Sequence, residues 1–194
     1  MTSLRLFIAI NLPLEVRKLL GQVQQSLPLN ESLVKWVKKE NFHLTLEFLG
    51  ETRKERLSQI EEGLKKATLN SDSLLLDLQE IGAFPNWRNP RVIWVGLGGD
   101  IVRLRDLHNR IHQELLDRGF SLGPKRFQPH LTLGRIKQGT PISAGVTNYL
   151  KLIPKDVTFA VKQIDLMQSI LTREGPIYKK LTSIPLAKAV NQRE

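Results

Sequence analysis

Alternating apolar and polar residues mark the strands of this chain, and apolar residues three to four apart mark its helices. Arg5–Asn11 (RLFIAIN) reads as a strand. Pro13 then suits the first turn of a helix whose apolar positions are Leu14, Val16, Leu19, Leu20 and Val23. Leu33–Val37 is a short strand, and Phe42–Leu49 is a longer one that Gly50 ends. Thr52-x-x-Glu55 has the form of a capping box and opens a helix to about Leu69, with Leu57, Ile60 and Leu64 on one stripe. Leu74–Ile81 returns as a strand, Phe84–Pro90 is a turn-rich loop, and Arg91–Leu97 is again a strand. Gly98-Gly99-Asp100 leads into a helix through Arg118, striped by Ile101, Leu104, Leu107, Ile111 and Leu115 and stopped at Gly119. Phe127–Ile136 is a strand, and Val157–Gln168 and Pro176–Leu186 read as a closing hairpin around Thr172–Gly175.

Each half of this order holds a helix and a strand containing the tetrapeptide His-Leu-Thr-Leu, and no linker separates the halves. The expectation is an α+β fold and a single domain over residues 1–194. It would have two pseudo-symmetric lobes, each an antiparallel sheet with helices on its outer face, around a central cleft.

The repeated tetrapeptide carries the chemistry. In a strand, side chains alternate between faces. His43 and Thr45 therefore share one face, as do His130 and Thr132, while Leu44, Leu46, Leu131 and Leu133 point into a core. Two imidazoles and two hydroxyls facing each other form a clamp for one phosphate. One neutral histidine can take a proton from water while a protonated one gives a proton to a leaving oxygen. The threonines can bond non-bridging oxygens, and Arg135, three residues beyond Thr132, can hold the same oxygens. No carboxylate-rich cluster, cysteine ligand or His-Glu-x-x-His pattern points to a metal, so no cofactor is expected. A strained cyclic phosphodiester, opened by in-line attack, is the natural substrate.

Composition narrows the setting. The chain has no cysteine, which excludes disulfides, thiol catalysis and thiolate metal sites. Its short N-terminal apolar run is interrupted by Arg5 and no stretch has membrane-spanning length, so a cytoplasmic location without membrane attachment is expected. The net charge is +10 and uneven. Residues 1–97 carry 13 basic and 11 acidic side chains, residues 98–194 carry 16 and 8. A basic surface draws polyanions.

The segments RLFIAINLP, KWVKKENFHLTLEFLGE, IGAFPNWRNPRVIWVGL, RFQPHLTLGRIK and GPIYKKLTSIPL span nearly the whole chain. In them it resembles the bacterial and archaeal RNA 2′,3′-cyclic phosphodiesterases, once called 2′-5′ RNA ligases, of the two-histidine phosphoesterase superfamily with the LigT-like fold. The resemblance implies His43 as proton donor to the departing 3′ oxygen and His130 as the acceptor that activates water. It implies Thr45, Thr132 and Arg135 as phosphate ligands. The implied partner is an RNA with a 2′,3′-cyclic phosphate terminus, tRNA fragments among the candidates, and the chain is expected to act as a monomer. Reverse 2′-5′ joining is allowed by microscopic reversibility. Two other functions fit the same residues: a phosphodiesterase for small nucleotides, and a non-catalytic RNA- or nucleotide-binding module.

Several residues are set aside. His108 and His112 have metal-pair spacing on a helix but no third ligand in the sequence. Gly96-x-Gly98-Gly99 lacks the rest of a nucleotide-binding fingerprint. Trp87, Phe127 and Tyr178 could stack on a base, and Arg88, Arg91, Lys125, Arg126 and Lys137 could track an RNA backbone, but packing for the former and solvated surface for the latter are the better accounts.

Overall fold

The computed structural model describes residues 2–29, 32–123, 126–137, 152–154 and 156–186. Its elements are β1 (Ser3–Asn11), α1 (Leu14–Ser26), β2 (Val34–Trp36), β3 (His43–Arg53), α2 (Leu57–Thr68), β4 (Leu74–Phe84) and β5 (Val92–Gly99). They continue with α3 (Ile101–Asp117), β6 (His130–Ile136), β7 (Thr158–Val161), β8 (Gln163–Thr172) and β9 (Gly175–Pro185). The strands form two sheets, one ordered β3-β1-β8-β9 and the other β2-β6-β5-β4-β7. Every ladder is antiparallel. One contiguous apolar core runs through both sheets and the three helices, with Leu20, Ile60, Leu104 and Ile111 fully enclosed. The expected α+β architecture is therefore the one found. No helix among the described residues is long and apolar enough to cross a membrane.

Three local expectations are corrected. The segment read as one strand from Val157 divides at Lys162: β7 pairs with β4 in one sheet and β8 with β1 in the other. A slip in phase accompanies the change, since Phe159 and Val161 are buried and then Ile164 and Leu166. Gly50 does not end its strand. It adopts φ +62 beside a register shift, where a side chain would be strained, and β3 continues to Arg53. The capping box does not form, because Thr52 stays in β3 and its hydroxyl donates back to the Leu49 and Gly50 carbonyls. The chain instead enters α2 through a 3₁₀ turn at Lys54–Arg56, with no side-chain cap.

The two motif strands share a feature that the alternation pattern hides. In β3, Thr45 pairs with Ala9 but Glu47 pairs with Ile8, so Leu46 is an extra residue. In β6, Thr132 pairs with Trp94 but Gly134 pairs with Ile93, so Leu133 is extra. Both tetrapeptides thus end in a β-bulge at their second leucine. A bulge shifts the phase of every later side chain by one position. Glu47 is turned to the core side of β3, and Arg135 to the cleft side of β6.

Phe42 immediately precedes the first motif strand and is 1% exposed. Phe42→Ala should cost about 3–5 kcal/mol of stability through lost burial and the remaining cavity, read by urea unfolding.

Candidate active site

β3 and β6 pack beside each other across the cleft, and each presents its histidine and threonine to it. The two imidazoles are held alike. A carbonyl can only accept, so Nδ1–H of His43 donates to the Asn41 oxygen at 2.7 Å and Nδ1–H of His130 donates to the Gln128 oxygen at 2.7 Å. In both rings this leaves Nε2 as the titrating atom. The Thr45 hydroxyl lies 2.9 Å from Nε2 of His43 and donates to it when the ring is neutral. Asn11, opposite His43 in the ladder, is fixed by donating to the buried Asp165 carboxylate at 2.7 Å.

Aromatic rings wall both histidines. Phe7 and Tyr178 stand 5.0 and 5.2 Å from His43, Tyr178 edge-on. Phe84 stands 5.0 Å from His130 at 89°, and Trp94 lies 6.4 Å away. Such walls desolvate a cation. Burial pushes His43 below its ordinary pKa. The Asn41 carbonyl opposes that shift, and the charge of His130 adds to it. Burial likewise lowers His130, the Gln128 carbonyl opposes, and the nearby Arg135 guanidinium lowers it further. Burial raises the Tyr178 phenol, partly offset by Arg135 and Arg5.

These mutual influences gather His43, His130, Thr45, Arg135 and Tyr178 at one site. Thr132 is half-buried on the same face of β6 as His130. Arg135 is exposed on the cleft side because of the bulge at Leu133. Tyr178, weighed as a base-stacking residue, joins the site. Phe127 does not, because it stacks on His108 within the core at 4.3 Å, and Trp87 packs against the core. Lys125 lies outside the described residues. The aromatic walls Phe7, Phe84 and Trp94 went unremarked in the sequence. The one signal there is a place on a strand flanking a motif strand: Phe7 lies on β1 beside β3 and Trp94 on β5 beside β6, whereas Phe84 ends β4, one strand further from β6, and had no such signal.

A cleft with paired imidazoles, hydroxyls and a guanidinium can hold a tetrahedral anion and move two protons. Known proteins resemble this chain in sequence and fold. The family model for LigT-like phosphoesterases matches residues 10–94 and 100–178. A protein of Aeropyrum pernix named RNA 2′,3′-cyclic phosphodiesterase is 39% identical over 157 residues, 80% of this chain and 88% of its own length. One of Archaeoglobus fulgidus with the same name is 37% identical over 181 residues, 92% and 98%. The solved structure of E. coli LigT complexed with 3′-AMP superposes with a TM-score of 0.79 at 25% identity, covering 96% of this chain and 100% of that one. The chain belongs to the LigT-like phosphoesterases.

The wall beside His130 admits a test. A Cβ on Gly82 would stand 2.2 Å from the Trp94 ring. Gly82→Ala should displace Trp94 from His130 and cost about 1–3 kcal/mol, seen as changed near-ultraviolet circular dichroism and a lowered unfolding midpoint.

Proposed function

We propose that this chain hydrolyses RNA 2′,3′-cyclic phosphate ends to 2′-phosphate ends, with His43 and His130 as a metal-independent acid–base pair. The observation that carries this reading is the meeting of two imidazoles at one cleft from two neighbouring strands, each with Nδ1–H on a backbone carbonyl and Nε2 as its titrating atom. Burial lowers both, and the charge of His130 lowers His43 further.

Water attacks phosphorus and gives its proton to Nε2 of His130. The bond from phosphorus to the 3′ oxygen breaks, and that oxygen takes the proton from Nε2 of His43. The 2′ oxygen keeps the phosphate. Thr45, Thr132 and Arg135 bond the non-bridging oxygens as charge builds on them. The assignment of donor and acceptor follows family resemblance, because the two histidines are held in the same way. The basic half of the chain and the charges of Arg5 and Arg135 at the cleft favour an RNA end over a free nucleotide. The names of the relatives support the same substrate. A cytoplasmic monomer is the corresponding cellular form.

His43→Ala and His130→Ala should each remove most turnover of a cyclic-phosphate oligonucleotide, by roughly 10²–10⁴-fold, in folded protein and in the presence of EDTA. A nitrophenyl leaving group needs no acid, so it should partly rescue His43→Ala and leave His130→Ala inactive. Rescue of His130→Ala alone would reverse the roles, and equal rescue of both would mean that neither histidine is a dedicated proton carrier. Identifying the phosphorylated terminus of the RNA tests the product: a 3′-phosphate would overturn the bond assignment.

The pKa directions set a pH dependence. In the free enzyme the acid must be protonated and the base neutral, and both pKa values are depressed. The optimum of kcat/KM should therefore lie on the acid side of about 6.5. A bound phosphodiester anion favours the His43 imidazolium, so the alkaline limb of kcat should lie at higher pH than that of kcat/KM. Arg135→Gln removes a charge that lowers His130, so the acidic limb of kcat/KM should move to higher pH while KM rises. An unmoved limb would mean that His130 is not the base.

A further inference from the structure

His108 and His112 take no part in the cleft. They lie one turn apart on α3, 4% and 5% exposed, with rings 5.9 Å apart and inclined by 28°. By sequence they lack a third ligand. The bulge at Leu46 supplies one. By turning Glu47 to the core side of β3, it brings that carboxylate 2.6 Å from Nδ1 of His112 and 3.7 Å from Nε2 of His108. The three donor atoms lie within 4.8 Å of one another, and the Glu47 side chain is 11% exposed.

We infer that Glu47, His108 and His112 form a divalent transition-metal site of the Zn²⁺ class that braces α3 to the first motif strand. Two imidazoles and one carboxylate from a chain without cysteine suit Zn²⁺ and its first-row neighbours. Mg²⁺ and Ca²⁺ demand larger shells of oxygen. Bonds of about 2.0–2.1 Å set tetrahedral donors about 3.4 Å apart, so the observed spacings bracket those of a filled site. A water takes the fourth position. The ion sits on the face of β3 opposite His43 and Thr45 and touches no substrate, so it is structural and leaves the chemistry of the cleft metal-free. Its reach extends to the second motif, because Phe127 stacks on His108 at 4.3 Å and 6° three residues before His130. One ion thus ties α3 to β3 and to the segment leading into β6.

The test uses the wild-type chain, stripped with EDTA and titrated with Co²⁺ in phosphate-free buffer. One ion per chain should bind, with visible absorption bands of four-coordinate cobalt, and one equivalent of Zn²⁺ should displace it. Paramagnetic effects should be large on the Phe127 ring beside His108 and small on Tyr178 and Phe84, which stand by His43 and His130. Binding should raise Tm by several degrees. Glu47→Gln should weaken uptake by at least the roughly 10–100-fold that loss of an outer-shell partner costs. Absence of stoichiometric uptake, or paramagnetic effects centred on Tyr178 and Phe84, would overturn the site and leave the three groups a hydrogen-bonded cluster. Should Glu47→Gln not fold, the wild-type map of paramagnetic effects decides alone. A His43→Gln/His130→Gln chain, in which the cluster holds the two remaining histidines, should take up the ion unchanged.

Discussion

Leu44, Leu46, Leu131 and Leu133 are all within 3% of full burial, and their enclosure orients both motif strands. Each buried leucine contributes about 1.5–3 kcal/mol. A slip of one residue in either strand would send its leucines to the cleft and its histidine into the core, so that register is closed. The facing of His43 and His130 is in this sense a by-product of core packing. The imidazoles are then finished by backbone, each with Nδ1 on the carbonyl two residues earlier. No flexible side chain is needed to select the tautomer, and Nε2 of each ring is left as the titrating atom.

The paired bulges give the strands a second function. A regular strand cannot present His, Thr and a residue three beyond Thr on one face. With one leucine as an extra residue, β6 brings Arg135 round to the cleft side. The equivalent bulge in β3 sends Glu47 the other way, beneath the face that carries His43 and against α3. The same irregularity therefore turns a guanidinium to the cleft in one lobe and sets a buried carboxylate against α3 in the other.

Electrostatics and packing meet at the aromatic walls. Phe7, Tyr178, Phe84 and Trp94 strip water from the histidines and depress both of them. Under the proposed acid–base pairing, the free enzyme disfavours its acid form, and a bound phosphodiester anion would favour it, because a negative charge near an imidazole stabilises its protonated form.

The sequence alone determined the element order up to β6, the faces of the His-Leu-Thr-Leu strands and the chemistry of their side chains. These follow from local alternation and residue type, and the duplicated motif made them legible. It also made Arg135 a candidate, although strict alternation from Thr132 places that residue on the wrong face. Only the tertiary structure decided that Leu46 and Leu133 are extra residues, because a bulge exists only relative to a neighbouring strand. For the same reason the sequence hid the passage between sheets at Lys162, where the partner strand changes from β4 to β1. It hid the failure of the Thr52 capping box, since the ladder with β1 held Thr52 in β3. It hid the meeting of Glu47 with His108 and His112 as well: their spacing along the chain carries no trace of a contact that packing of α3 on a bulged strand creates.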